Sequence, residues 1–416
     1  MSSLPRLAYL TALYPAASHT FIQREVSALR ELGFEVETCS MRKPSPEHLI
    51  GDEEKAAFAN TFYAIETGKK PAKMLGALAQ AILAPARLWT GLKRAVQTAP
   101  PGVKGALKQA AYFAEALILA KHLKSRNISH LHNHFADPSA NVAMLTSALS
   151  GIPFSFTLHG PAELYEPEKW QLRAKIEQAA FVACISHFCR SQAMYFSDPS
   201  HWSKLKIIHC GVLPERYTRP KETTEGTVNL LFVGRLTPIK GLRVLFEAFA
   251  AAQAQNPALT LTLVGDGDDR AHLEKLAQPL GEAVTFLGYQ SQDGVADALA
   301  QADALVLPSF AEGLPVVLME ALAAATPVVC TQVAGVGELV EDGVSGYLVP
   351  ASDVDSLTDR LIKIASDAGM RAKMGAAGRE KVKEAFDVRL EAARIATLFV
   401  DTDHATHRPP PYEKPL

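Results

Sequence analysis

The chain has 416 residues, enough for two to three domains at about 150 residues each and for real hydrophobic cores. Its 48% hydrophobic and 21% charged composition excludes wholesale disorder. Lys plus Arg (42) against Asp plus Glu (44) leaves a net charge of −2, which speaks against a generic nucleic-acid-binding protein, and five cysteines without a Cys-x-x-Cys pair speak against a disulfide scaffold and for a reducing cytoplasm.

Short apolar runs alternate with helical patterns along the whole chain, the mark of a doubly wound α/β class with parallel sheets. Residues 7–13 read as a buried first strand, 20–32 as a helix closed by Gly33, and 34–40 as a second strand. Residues 129–134, 154–158, 181–185 and 206–209 continue that sheet. Between them, Thr67 to Asn127 holds eleven Lys/Arg and one acid, Glu115, a net of +10, so the rest of the chain carries −12. Apolar residues recur there at helical spacing: Met74, Leu75, Leu78, Ile82, Leu88, Trp89, Leu92 and Val96. Pro85 interrupts this pattern and Pro100-Pro101-Gly102 ends it. Two readings of this basic amphipathic segment stand side by side: helices with a solvated basic face and an apolar side packed on the core, or, the reading preferred, an interfacial segment that faces an anionic membrane surface. The most apolar stretch, residues 110–120, is broken by Glu115, so no spanning helix is expected.

Residues 214–226 are polar and read as a linker, which sets an N-terminal domain at 1–213 and a second domain at 227–386. Strands are expected at 228–233, 259–264, 284–287, 304–307 and 328–331, with a helix at 241–253. A final helix at 387–402 is expected to return to the first domain, and 403–416 to form a flexible tail. Two such halves would face a central cleft, with ligands at the carboxyl ends of the strands.

Two constellations carry chemistry. Gly234-Arg235-Leu236-Thr237-Pro238-Ile239-Lys240-Gly241 ends a strand in glycine and places two cations on the loop before a helix. A diphosphate needs that positive charge and those open backbone donors. Glu312-Gly313-Leu314-Pro315-Val316 then leads into a helix that bears Glu320. Glu312 is expected at the helix entrance, Pro315 in the first turn and Glu320 two turns inside, spaced to grip two hydroxyl-bearing rings of one extended ligand.

Together with Val264-Gly265-Asp266-Gly267, Phe286-Leu287-Gly288-Tyr289 and residues 335–346, these pieces make the second half resemble the nucleotide-sugar domain of family 4 retaining glycosyltransferases, which have the GT-B fold. The resemblance implies that Gly234, Arg235, Lys240 and Gly265 meet the donor diphosphate. It implies that Glu320 binds the ribose, Glu312 the donor sugar, and the backbone of Gly313, Leu314, Pro315 and Val316 the sugar and phosphate. Tyr289 would face the base. His159 matches the family's active-site His near the transferred sugar. Where the family has a glycine pair, residues 16–20 read Ala-Ala-Ser-His-Thr; Ser18, Thr20, Phe21, Ile22 and Glu25 fit an exopolysaccharide-type branch, with Ser18 on the donor-binding loop.

The implied activity is metal-independent transfer, with retention, of a hexosyl unit from a nucleoside-diphosphate sugar, UDP favoured. No cofactor and no nucleic acid are implied. The expected acceptor is a membrane lipid, diacylglycerol or a polyprenyl-linked glycan, met by a peripheral protein at the inner face of the cytoplasmic membrane. A soluble acceptor, or a catalytically silent nucleotide-sugar-binding or membrane scaffold, is the alternative. Three other readings are weaker. His130, His132 and His134 alternate on one strand face as metal ligands would, but no Cys or carboxylate cluster obviously completes them. Asp266-Gly267-Asp268 resembles a metal clamp but sits at a turn. Gly265-x-Gly267 fails as a dinucleotide fingerprint, because Arg270 takes the third glycine position.

Overall fold

The computed structural model describes residues 4–16, 19–49, 51–218 and 226–404. The chain divides into two units, Met1–His209 with Ala392–Leu416, and Cys210–Glu391. Each is built on one all-parallel sheet flanked by helices.

In the first unit the strands are β1 (Leu7–Leu13), β2 (Val36–Arg42), β3 (Thr61–Tyr63), β4 (His130–His134), β5 (Phe154–Leu158), β6 (Val182–Cys184) and β7 (Leu205–Ile207), in the order β3-β2-β1-β4-β5-β6-β7. Strands β4 and β5 are buried at every position, as sheets covered on both faces require. The Thr20–Glu31 helix ends where Gly33 takes φ +92°, with the Gly33 and Phe34 N–H groups donating to Arg30 and Leu29 carbonyls. This turn delays the second strand by two residues from its expected start. The three-residue edge strand β3 carries no alternation to announce it; it is tied to β2 by a 2.9 Å contact between the Thr38 and Thr61 hydroxyls.

The basic segment folds into helices Ala64–Gly68, Pro71–Ile82, Pro85–Gln97 and Gly102–Ser125, broken at Pro85 and Pro101 as the sequence indicates. On Pro71–Ile82 and Pro85–Gln97 the packing is the reverse of an ordinary amphipathic helix, whereas Gly102–Ser125 buries Leu117, Ile118, Leu119 and Leu123. On Pro85–Gln97 the buried residues are Gly91 and Ala95, and a side chain at Gly91 would run into Leu149. The large apolar residues face out: Trp89 is 71% exposed and Leu83 85%, with Leu75, Leu78, Ile82, Leu92, Val96, Val103 and Leu107 exposed beside them. Met74 and Leu88 depart from the expected face and are half-buried. No described helix is long and apolar enough to cross a membrane.

The second unit contains β8 (Val228–Val233), β9 (Leu259–Val264), β10 (Val284–Gly288), β11 (Ala304–Leu307), β12 (Val328–Thr331) and β13 (Gly346–Val349), ordered β10-β9-β8-β11-β12-β13. The last of these is missing from the sequence reading. Gly346, the last residue of the 335–346 piece, starts a strand so close to β12 that a Cβ would lie 2.3 Å from the Val328 carbonyl. The expected linker is also corrected. Pro214–Tyr217 is a 3-10 turn within the second unit, with Tyr217 buried; 219–225 lie outside the described residues.

The final helix, Val388–His404, starts on Asp387, whose carboxylate accepts from the Arg389 N–H at 2.9 Å. It begins in the second unit and ends in the first, where Phe399 is fully buried against Tyr9, His130, His132 and Phe181. The tail expected at 403–416 begins as helix, and 405–416 lie outside the described residues.

Candidate active site

In each sheet the strand order reverses once, between β1 and β4 and between β8 and β11. Loops leaving the carboxyl ends of two such strands diverge and leave room for a ligand. The residues singled out in the second half sit on the loops after β8 and β11.

After β8 the chain passes Gly234 and Arg235 and makes a 3-10 turn at Pro238–Lys240. Gly241 follows at φ +67°, where a Cβ would meet the Pro308 carbonyl at 2.1 Å. Only glycine lets this loop lie so close to the end of β11. The Phe310 N–H then donates to the Ile239 carbonyl at 2.8 Å, joining the two loops. As a result Lys240 Nζ reaches Glu312 Oε1 at 2.5 Å, with both side chains largely buried. Arg235 is exposed, and no carboxylate among the described residues pairs with it.

Gly265 plays a packing part. At φ +129° its backbone lies against Gly234, so a Cβ would stand 2.0 Å from the Gly234 carbonyl oxygen, and its N–H donates to Gly288 at 2.8 Å. Tyr289, just past β10, is exposed. Asp266 accepts from the Gly267 N–H and pairs with Arg270 at 2.8 Å, so the carboxylate that resembled a metal clamp is engaged by the residue that spoils the dinucleotide fingerprint.

The helix after β11 is Val316–Ala323, one residue shorter at its start than expected. Pro315 is its N-cap, with ψ 120°, rather than a first-turn residue. Gly313 and Leu314 are buried in the loop before it. Glu320 therefore lies in the second turn, not two full turns inside, and its buried carboxylate accepts from Tyr217 Oη at 2.9 Å. Tyr217 was missed because its segment reads as a linker; the signal was one aromatic residue among polar ones.

The first unit assembles a buried polar cluster at the ends of β4 and β5. His134 Nδ1 and His159 Nε2 are 3.0 Å apart, Glu25 Oε1 lies 3.5 Å from His134 Nε2, and Tyr9 Oη donates to the same Glu25 oxygen at 2.6 Å. Burial, with the neighbouring histidines adding to it, pulls the imidazoles of His132 and His159 well below the ordinary range, so both are neutral at pH 7. Glu25, His132 and His134 bring ligand atoms within 4.8 Å of one another. Both ring nitrogens of His132, however, already meet hydroxyls, Ser155 at 2.8 Å and Thr157 at 2.9 Å, which points to a hydrogen-bonded core rather than a ligand set.

Two further residues escaped the sequence reading. The Glu163 carboxylate accepts from the backbone N–H groups of Ala136, His159 and Gly160, at 2.5, 3.0 and 2.8 Å. It thereby ties the ends of β4 and β5 together and fixes the backbone of His159. Lys175 Nζ donates to the Ala136 and Asp137 carbonyls at 2.6 and 3.0 Å. Burial raises Glu163 to about 7 against the opposing backbone hydrogen bonds, and lowers Lys175 to about 7 against the pull of Asp137 and Glu163. Ser18, expected on the donor loop, lies outside the described residues; Thr20, Phe21, Ile22 and Glu25 form the start of the helix behind it.

Residues 215–381 match the family described as "Glycosyl transferases group 1", and residues 19–216 match "Glycosyltransferase Family 4". The chain belongs to the family 4 glycosyltransferases. It is 26% identical to the amylovoran biosynthesis glycosyltransferase AmsK of Erwinia amylovora over 415 residues, covering 95% of this chain and 99% of that one. It is 27% identical to the putative colanic acid biosynthesis glycosyltransferase WcaL of Salmonella typhimurium, again over 95% and 99%. Among solved structures, Anabaena HepE in complex with UDP aligns with a TM-score of 0.70 at 18% identity over 95% of this chain and all of that one. Sucrose-phosphate synthase of Thermosynechococcus elongatus aligns at 0.72 and 19% identity over 96% of this chain and all of that one. Both share the GT-B fold of two Rossmann-like domains. This family 4 enzyme is a glycosyltransferase with relatives in exopolysaccharide biosynthesis.

Proposed function

We propose that this glycosyltransferase moves a hexosyl unit from a nucleoside-diphosphate sugar, with UDP the favoured nucleotide, to a lipid acceptor at a membrane surface during polysaccharide or glycolipid assembly. The observation that carries the donor half is the Lys240–Glu312 pair beside exposed Arg235, all on loops at the switch point of the second sheet. Cation and carboxylate side by side suit a ligand in which a diphosphate and a polyol ring are joined. The HepE complexes with UDP and UDP-glucose lend support.

Transfer proceeds with retention. Arg235 and Lys240 stabilise the diphosphate as its bond to the anomeric carbon breaks. The acceptor oxygen bonds to that carbon on the same face, and its proton passes to an oxygen of the departing phosphate. The two cations neutralise the leaving group, so the reading includes no metal and no cofactor. His159, neutral through burial, serves by hydrogen bonding and not as a nucleophile.

The acceptor half rests on the exposed apolar residues of the basic segment. A patch of Leu, Trp and Val on helices rich in Lys and Arg matches an anionic interface, where apolar side chains enter the head-group region and cations meet phosphates. Radiolabelled UDP-sugars offered with lipid extracts test the whole reading. Label should appear in an organic-soluble product whose anomeric configuration equals the donor's. Donor binding with neither transfer nor hydrolysis would identify a silent binding protein instead.

A further inference from the structure

Glu115 is the single acid of the basic segment, and it lies in the segment's most apolar stretch. The structure places it in a cavity of about 260 Å³ inside the first unit. Ala12 of β1 and Met41 and Arg42 of β2 form the floor at the carboxyl ends of their strands. Lys108, Tyr112 and Glu115 line one wall from a single face of the Gly102–Ser125 helix, at spacings of four and three residues. Ser139, in the first turn of the Pro138–Ser150 helix, closes another side.

The charges of this cavity are not closed into ion pairs. Among the described residues neither Arg42 nor Glu115 has an ion-pair partner, and Lys108 Nζ meets only the Tyr112 ring, at 5.7 Å from its centroid. Burial raises the Glu115 carboxyl above its ordinary range, while Arg42 draws it back. A half-buried carboxyl without a hydrogen bond calls for a donor in the space it faces. Two cations at the rim call for an anion. The volume falls just under the roughly 300–1,000 Å³ of sites that enclose drug-sized ligands, so it suits one ring with its phosphate and not a long glycan.

We propose that this cavity is the acceptor subsite, in which Arg42 and Lys108 hold the phosphate of a lipid-linked sugar and Glu115 accepts a hydrogen bond from a hydroxyl of that sugar. The proposal rests on the reading of a lipid-directed glycosyltransferase and narrows it. Diacylglycerol has no charge and would leave both cations without a counterpart, whereas a phosphate-bearing glycolipid satisfies all three groups.

The test is calorimetric titration of the full chain with farnesyl diphosphate-linked glucose and with octyl glucoside, which has the sugar and a chain but no phosphate. The wild type should prefer the phosphate-bearing probe by about tenfold or more, the scale of one charge-assisted hydrogen bond. Arg42→Ala with Lys108→Ala should abolish that preference, and Glu115→Gln should weaken both probes by about tenfold. The wild type should also bind phosphatidylcholine vesicles containing phosphatidylglycerol, and the UDP affinity of every variant, measured on the same samples, should remain within threefold (about 0.7 kcal/mol); Lys108→Ala alone, an exposed position, repeats the measurement where folding is not in question. A wild type that binds UDP and vesicles without preferring the phosphate overturns the subsite and leaves the donor reading standing. So does a double variant that keeps the preference. A wild type that binds neither UDP nor vesicles overturns the reading beneath it.

Discussion

Lys240 Nζ lies 2.5 Å from Glu312 Oε1, so the cation assigned to the donor diphosphate and the carboxylate assigned to the donor sugar are partners of each other. A diphosphate must therefore share Lys240 with Glu312, and exposed Arg235 is the cation that is fully available to it.

Glu312→Gln keeps the shape of the site and removes the competing charge. Turnover should fall on the order of 10², the scale for losing one positioned polar contact, while UDP affinity should hold or rise. Steady-state kinetics beside UDP titration read both. Near-normal turnover would remove the sugar role. Glu312→Ala should in addition cost about 1–3 kcal/mol of stability, because it leaves a largely buried ammonium without its partner.

Arg235→Ala and Lys240→Ala should each weaken UDP by about 10- to 100-fold, the value of a charge-assisted hydrogen bond. Uridine should bind unchanged. Equal loss for uridine in a titration would mean that the variants had lost the fold of the second unit and not a phosphate contact.

Much of the second unit was legible in the sequence because its glycines and charges stand at strand ends. Glu312 and Lys240 were both named, yet their pairing was not. It depends on Gly241 lying against the Pro308 carbonyl, a tertiary approach that no spacing along the chain encodes. Tyr217 and Glu163 were missed for a related reason. Each acts on a partner, Glu320 or the His159 backbone, that becomes its neighbour only through folding. Strand β13 was hidden because it has only four residues and opens on a glycine, used there for close packing.

The Glu163 and Lys175 shifts set opposing pH dependences. Folded Glu163 binds its proton more tightly than the unfolded chain does, so its contribution is lost as pH climbs from 4.5 to about 7. Folded Lys175 binds its proton less tightly, so stability rises again from about 7 towards 10.5. Urea unfolding of the wild type should show a minimum near neutrality. Lys175→Met should lose the alkaline rise, and an unchanged profile in that variant would show that Lys175 does not titrate in the folded protein.

Exposed Trp89, Leu92 and Lys93 lie on one short helix, and charge and burial can be tested apart there. Lys73→Glu with Lys93→Glu should weaken binding to anionic vesicles by about 1 kcal/mol or more per site and reduce its salt dependence. Trp89→Ser should weaken it at every salt concentration. Arg94 is a poor choice for such a test, because its guanidinium donates to Gln178 at 2.5 Å. Flotation that ignores all these changes would place the membrane contact elsewhere.

The fold also decides where this polypeptide can be cut. Phe399 fills the space between Tyr9, His132 and Phe181, some two hundred residues after the last strand of the unit it completes. A truncation after His209 would keep all seven strands and still open a hole beneath the histidine row, at a cost of about 3–5 kcal/mol for the lost ring. The amino-terminal half is therefore incomplete without residues from the far end of the chain. Residues 388–404 must be made and delivered before the first-made sheet can close its own core.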